Sequence, residues 1–112
     1  QKNKIKIQKN EIVLLKTKNK ISRDFDFNFT YLEKSGAEYL VSKKIKAAGI
    51  DSLGIERSQP SHQTHKILAK KGIPIFEGLD LTKVRQGRYF FHGLPLKIKK
   101  GDGSPVRAVL VY

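Results

Sequence analysis

Twice along this chain, apolar residues at helical spacing are followed after a turn by an apolar extended run, and that order of helix then strand points to the α/β class. Ser35-Gly36-Ala37-Glu38 has the spacing of a capping box, in which serine and glutamate each satisfy a free backbone donor of the first helical turn. The helix it opens runs to about Lys44, with Ala37, Leu40, Val41 and Ile45 on its core face. Residues 45–55, small and apolar around Gly49 and Gly54, predict a buried strand that emerges into a loop at Asp51. Pro60-Ser61 opens a second helix, through His65, Ile67 and Leu68 to a stop at Gly72. Ile73-Pro74-Ile75-Phe76 then predicts a short strand, whose proline belongs at a sheet edge or strand start. Glu77-Gly78 follow at its C-terminal end, where α/β folds place functional side chains.

The flanks are more β-like. Residues 4–7 alternate charge with isoleucine and residues 12–15 are an apolar run, so both are expected as strands. Over residues 22–29, Phe25, Phe27 and Phe29 alternate with polar residues, as in an edge strand or, the preferred reading, a loop laying three rings on one surface; core packing is the default role, pocket lining or a subunit contact the alternatives. Residues 88–98, broken at Pro95, and residues 106–112 are extended segments joined by the turn chemistry of residues 100–104, which makes a hairpin.

Composition removes several functions. Without cysteine there is no disulfide framework, no thiolate nucleophile and no sulfur ligand, so a metal would need His62, His65, His92 or some of the ten carboxylates. No Gly-x-Ser-x-Gly element is present, and Gly101-Asp102-Gly103-Ser104 lacks the lysine spacing and following helix of a phosphate-binding loop. No run approaches the roughly 18 apolar residues that span a bilayer, and the basic start lacks the apolar core of a signal peptide. A soluble, cytoplasmic protein is therefore expected, with no membrane partner. The chain begins at Gln1 and contains no methionine, so it is expected to be part of a longer polypeptide. Its formal charge is +13, but 18 of the 23 basic residues are lysines spread along the chain, which favours a solvated surface over a nucleic-acid face.

His65 and Glu77 are the candidate site. A helix, a tight turn and a returning strand can bring them together, so that a neutral imidazole and a carboxylate share a divalent cation. The alternative is a surface histidine and a capping or solvated carboxylate, because a zinc site usually takes three protein ligands. His62, three residues before His65 on the same helical face, is read as a surface coincidence; His92, within Tyr89-Phe90-Phe91-His92, is read as a core or edge residue.

At Gly49-Ile50-Asp51-Ser52-Leu53, His65-Lys66-Ile67-Leu68, Ile73-Pro74-Ile75-Phe76-Glu77-Gly78-Leu79, Leu94-Pro95-Leu96-Lys97-Ile98 and Gly101-Asp102-Gly103-Ser104-Pro105-Val106-Arg107-Ala108, the sequence resembles the cyclase-like family that contains kynurenine formamidase. The resemblance implies an α/β fold of the swivelling β/β/α type, a mixed sheet with packed helices and a C-terminal β-hairpin. Residues 1–112 would be a single domain forming the C-terminal half of a longer cyclase-like domain. His65 and Glu77 would be metal ligands, to zinc first and manganese as the alternative. The other ligands and a catalytic histidine would come from the family's first-half signature, His-x-Gly-Thr-His-x-Asp and a further histidine. Residues 1–28 contain no histidine, so the site is incomplete in this chain. Where the family's Gly-Ile-Asp loop often continues Ser-Ile-Asp, this chain has Gly54-Ile55-Glu56. The implied activity is hydrolysis of an amide C–N bond by metal-activated water, either N-formylkynurenine to kynurenine and formate in tryptophan catabolism or a related cyclic or acyl amide. The implied partners are that small substrate and further copies of the chain in a homo-oligomer. Two other classes remain: a non-catalytic binding or assembly module, and a basic nucleic-acid-binding protein whose affinity would fall steeply with salt.

Overall fold

A computed structural model describes residues 5–19 and 24–112. The elements are β1 (Ile12–Leu15), α1 (Lys34–Ser42), β2 (Ala47–Ile50), a 3-10 turn (Pro60–His62), α2 (Gln63–Lys70), β3 (Ile75–Phe76), β4 (Phe90–Pro95) and β5 (Val106–Val111). β1, β2 and β3 form a parallel sheet with β2 central; β4 and β5 form an antiparallel hairpin. The register is Ile12 opposite Ala47 through Leu15 opposite Ile50, then Ala48 opposite Ile75 and Gly49 opposite Phe76.

Strand alternation gives the parallel sheet two apolar faces. Val13, Leu15, Ala48, Ile50 and Ile75 belong to the core that α1 and α2 close with Ala37, Leu40, Ile67 and Leu68. Ile50, Ile55 and Leu68 are the largest fully buried side chains, each stabilising the fold by roughly 1.5–3 kcal/mol. On the opposite face Gly49 leaves room that a side chain would fill: a Cβ there would lie 2.6 Å from Leu14 Cδ2 and 2.9 Å from Leu79 Cδ1. Phe76 packs edge-on to Phe91 of β4 at 4.9 Å between ring centroids. Gly93 lets the hairpin lie flat on that ring, since a Cβ would come within 2.6 Å of Phe76 Cε1. Hairpin, parallel sheet and helix pair therefore stack in β/β/α order, with the parallel and antiparallel strands in separate sheets.

Two expected elements differ. Ser35 does not cap α1: the helix starts at Lys34, its N-cap residue is Glu33, and no side chain bonds the cap. Tertiary contacts set that start. Leu32 N–H donates to Ile55 O at 2.8 Å, and Thr64 Oγ1 donates to Leu32 O at 2.8 Å, so the chain is already held before Glu33. Glu38 instead pairs with Lys34 at 3.7 Å. Residues 5–7 form no strand, because Glu11 folds the chain back before it can pair; its carboxylate accepts Gln8 N–H at 2.8 Å, and Glu11 N–H reaches Gln8 O at 3.3 Å. Lys4 lies outside the described residues.

The remaining segments follow the expected order with tighter bounds: the strand expected over residues 45–55 is β2, and the helix expected from Pro60 begins as the 3-10 turn before α2. Phe25, Phe27 and Phe29 lie in a loop, with Phe29 buried and the other two exposed; Ser22 and Arg23 at its start lie outside the described residues. Among the described residues no helix is long and apolar enough to cross a membrane.

Candidate functional site

The C-terminal ends of the three parallel strands are tied together. After β1, Thr17 donates its N–H to Asp51 Oδ2 at 2.8 Å and its hydroxyl to Asp51 Oδ1 at 2.7 Å. After β3 the chain turns sharply at Gly78, whose φ of 65° suits a residue without a Cβ, and Gly78 N–H reaches Ser52 O at 2.7 Å. Glu77 is thus held between β3 and a pinned turn. Its Oε1 accepts Ile55 N–H at 2.9 Å across the β2–α2 loop.

His65 stands in the first turn of α2, and its Nε2 lies 3.5 Å from Glu77 Oε1. The structure therefore brings the two expected residues together, both partly open to solvent. A third residue joins them that the sequence reading assigned no role. Glu56 Oε1 accepts His65 N–H at 3.0 Å and also contacts His65 Nδ1. The Glu56 side chain is only 2% exposed. Its Oε2 is buried and has no hydrogen-bond partner among the described residues. Burial pushes the Glu56 carboxyl upward, but the backbone N–H and imidazole of His65, helped by His62, outweigh it and hold the carboxyl below its ordinary value.

His62 does not share the helical face of His65. It is the N-cap of α2, in the left-handed region at φ 47°, with Nδ1 4.0 Å from Glu56 Oε1. His92 is exposed on β4. Two signals pointed to Glu56: a carboxylate nine positions before the histidine, in the loop leaving a buried strand, and its place where the resembled family often has the aspartate of Ser-Ile-Asp.

The donor set suits a metal. Two ligands each about 2.0–2.2 Å from zinc at a tetrahedral angle stand roughly 3.4 Å apart, close to the 3.5 Å between His65 Nε2 and Glu77 Oε1. Nitrogen and oxygen donors also fit zinc or manganese without sulfur. Among the described residues, however, no group of three histidine, aspartate or glutamate side chains is placed to hold a cation, so the pair alone falls short of the usual ligand number. It opens on a groove whose walls include Phe76, Asp80, Gly93, Asp102 and Arg107. A second groove, lined by Ile7, Ile12, Leu14, Tyr31 and Phe91, lies along β1.

Comparisons with known proteins place the chain among relatives. The family described as "Putative cyclase" matches residues 1–57, upstream of both His65 and Glu77. Kynurenine formamidase of Delftia acidovorans is 33% identical over 99 residues, covering 88% of this chain and 47% of that protein. Cyclase-like protein 3 of Oryza sativa subsp. japonica is 34% identical over 91 residues, covering 80% of this chain and 34% of that protein. A structure described as a potential metal-dependent hydrolase with cyclase activity superposes with a TM-score of 0.89 at 45% identity, covering 95% of this chain and 53% of the other. A predicted metal-dependent hydrolase from Bacillus stearothermophilus gives 0.87 at 46% identity, covering 93% and 51%. The chain thus spans 34% to 47% of these curated relatives and little more than half of the solved structures.

Proposed function

The chain belongs to the cyclase family, and we propose from that premise that it supplies His65 and Glu77 to the divalent-metal site of an amide hydrolase similar to kynurenine formamidase. The observation that carries the reading is the 3.5 Å approach of His65 Nε2 to Glu77 Oε1 at the edge of an open groove. The names of the relatives support hydrolysis and a metal; zinc, with manganese as the alternative, and the amide C–N bond are this proposal's own.

His65 would hold the metal through Nε2 and Glu77 through its carboxylate. When bound, the ion supplies Lewis acidity toward a carbonyl oxygen and a water of near-neutral pKa. The protein's own contribution is placement. The Gly78 turn and the Ile55 N–H fix Glu77, α2 fixes His65, and the groove between β3 and the hairpin offers a small amide substrate a route to both. Further ligands would have to come from residues other than these two. The proposal extends to a homo-oligomeric assembly, as in the sequence reading.

The test uses the polypeptide that the gene encodes, loaded with zinc or manganese and assayed on N-formylkynurenine and simpler N-formyl aryl amines. Turnover should stop on chelation and return with metal. His65→Ala and Glu77→Gln should each lower kcat/KM by more than the roughly 10- to 100-fold that losing an outer-shell partner costs, with unchanged far-UV circular dichroism. Turnover indifferent to chelator, or to both substitutions, would remove the assignment.

A further inference from the structure

We propose that Glu56 is the positioning residue of this site: it accepts a hydrogen bond from the Nδ1–H of His65 and so turns a bare Nε2 toward Glu77, presetting the imidazole as a cation ligand. The inference rests on the metal reading of His65 and Glu77 but makes a separate structural claim about the ring.

One carboxylate oxygen engages the same histidine twice. Glu56 Oε1 receives the backbone N–H of His65 at 3.0 Å and meets ring Nδ1, so it fixes both the first turn of α2 and the rotation of the ring about its side-chain bonds. A carboxylate accepts and does not donate, so the nitrogen it meets is the one that carries hydrogen. In the neutral ring the other nitrogen then has a free lone pair. That nitrogen is Nε2, which faces Glu77 Oε1, an oxygen already receiving Ile55 N–H. Two acceptors facing each other at 3.5 Å leave a place for a cation between them. His62 does not compete for the carboxylate, since its Nδ1 is 4.0 Å away, beyond hydrogen-bond reach.

Burial makes a packing role a poor account of Glu56. Its Oε2 is shut from solvent without a hydrogen-bond partner among the described residues, a desolvation cost that an apolar side chain of similar size would not incur. The fold keeps that unfavourable group, and the return is a ring held by its rear nitrogen. Metal-binding histidines generally give their second ring N–H to such an acceptor, which fixes the tautomer and raises ligand basicity.

The first measurement needs no metal and no substrate. Long-range 1H–15N spectra of the chain, taken at a pH where the rings have ceased to titrate, distinguish the two neutral tautomers, and His65→Ala identifies which of the three histidine patterns belongs to His65. The expected result is protonated Nδ1 and bare Nε2 at His65, changing in Glu56→Gln to a mixture rich in the Nε2–H form that free side chains prefer. In the metal-loaded encoded polypeptide the same substitution should weaken zinc affinity by roughly 10- to 100-fold. Protonated Nε2 in the unsubstituted protein would overturn the proposal, as would a Glu56→Gln protein with unchanged ring pattern and zinc affinity. Should Glu56→Gln fail to fold, the unsubstituted spectrum decides alone. A chelator-indifferent enzyme would remove the metal reading while leaving the tautomer result standing, so the two failures are distinguishable.

Discussion

At the scale of single residues, the sharpest constraint outside the site is Gly49. Any side chain there must displace Leu14 or Leu79, whose methyls would sit 2.6 and 2.9 Å from its Cβ. Gly49→Val should therefore cost about 1–3 kcal/mol, read as a lower midpoint in urea with an unchanged slope. An unaltered midpoint would show that the two leucines repack freely. Leu68, fully buried between α2 and the sheet, should lose about 2–5 kcal/mol when replaced by alanine in the same experiment. Type and position named His65 and Glu77 only as a candidate pair, beside the reading of a surface histidine and a solvated carboxylate, and their roles as ligands came from the family resemblance; the structure adds their proximity. Glu56 was assigned no role. Carboxylates in loops are ordinarily solvated, and only the three-dimensional path that buries this one beneath His65 makes it distinctive.

At the scale of elements, the order of helices and strands followed from periodicity, and the errors fell where distant parts of the chain decide a boundary. The Ser35 box was overruled by the bond that Leu32 N–H gives to Ile55 O and the one that Leu32 O receives from Thr64, which a local spacing rule does not see. The N-terminal segment is similarly governed from far away. Arg88 Nε donates to Glu11 Oε1 at 2.9 Å and its Nη2 to Lys6 O at 2.7 Å, clasping the entry to β1 against the segment before β4. The Gln8 backbone N–H first, and the Arg88 guanidinium second, hold the Glu11 carboxyl below its ordinary 4.5. Because the folded value lies below the unfolded one, this tie stabilises the protein at pH above 4.5 and is lost as pH falls through the lowered folded value. Melting temperatures of the natural protein and Glu11→Gln should accordingly differ at neutral pH and converge in acid. A gap that persists at pH 2 would assign the effect to packing instead.

At the scale of the whole molecule, the β/β/α stack was implied by family resemblance rather than by periodicity, since no spacing rule says which face of a sheet a hairpin will cover. The hairpin carries Phe90, Leu94 and Val109 on its open side, with Leu96 just beyond β4, all substantially exposed, on a molecule of net charge +13. Apolar surface favours association while like charge opposes it, and salt weakens only the second, with the screening length falling from about 30 Å at 0.01 M to about 8 Å at 0.15 M. Sedimentation should therefore show the 112-residue chain associating more as salt rises, and less at every salt concentration after Leu94→Lys with Leu96→Lys. Association that falls with salt would point to charge pairing instead. The separations within the site also carry a meaning in time. Glu56 and His65 are nine residues apart and Ile55 and Glu77 are 22, whereas the Glu11–Arg88 clasp spans 77. Loops of about ten residues close in roughly 10–100 ns, and distant closures come later because more chain entropy must be lost first. The histidine and its two carboxylates can thus meet as a local event early in folding, and the clasp that ties Arg88 to the segment before β1 arrives around a trio already in place.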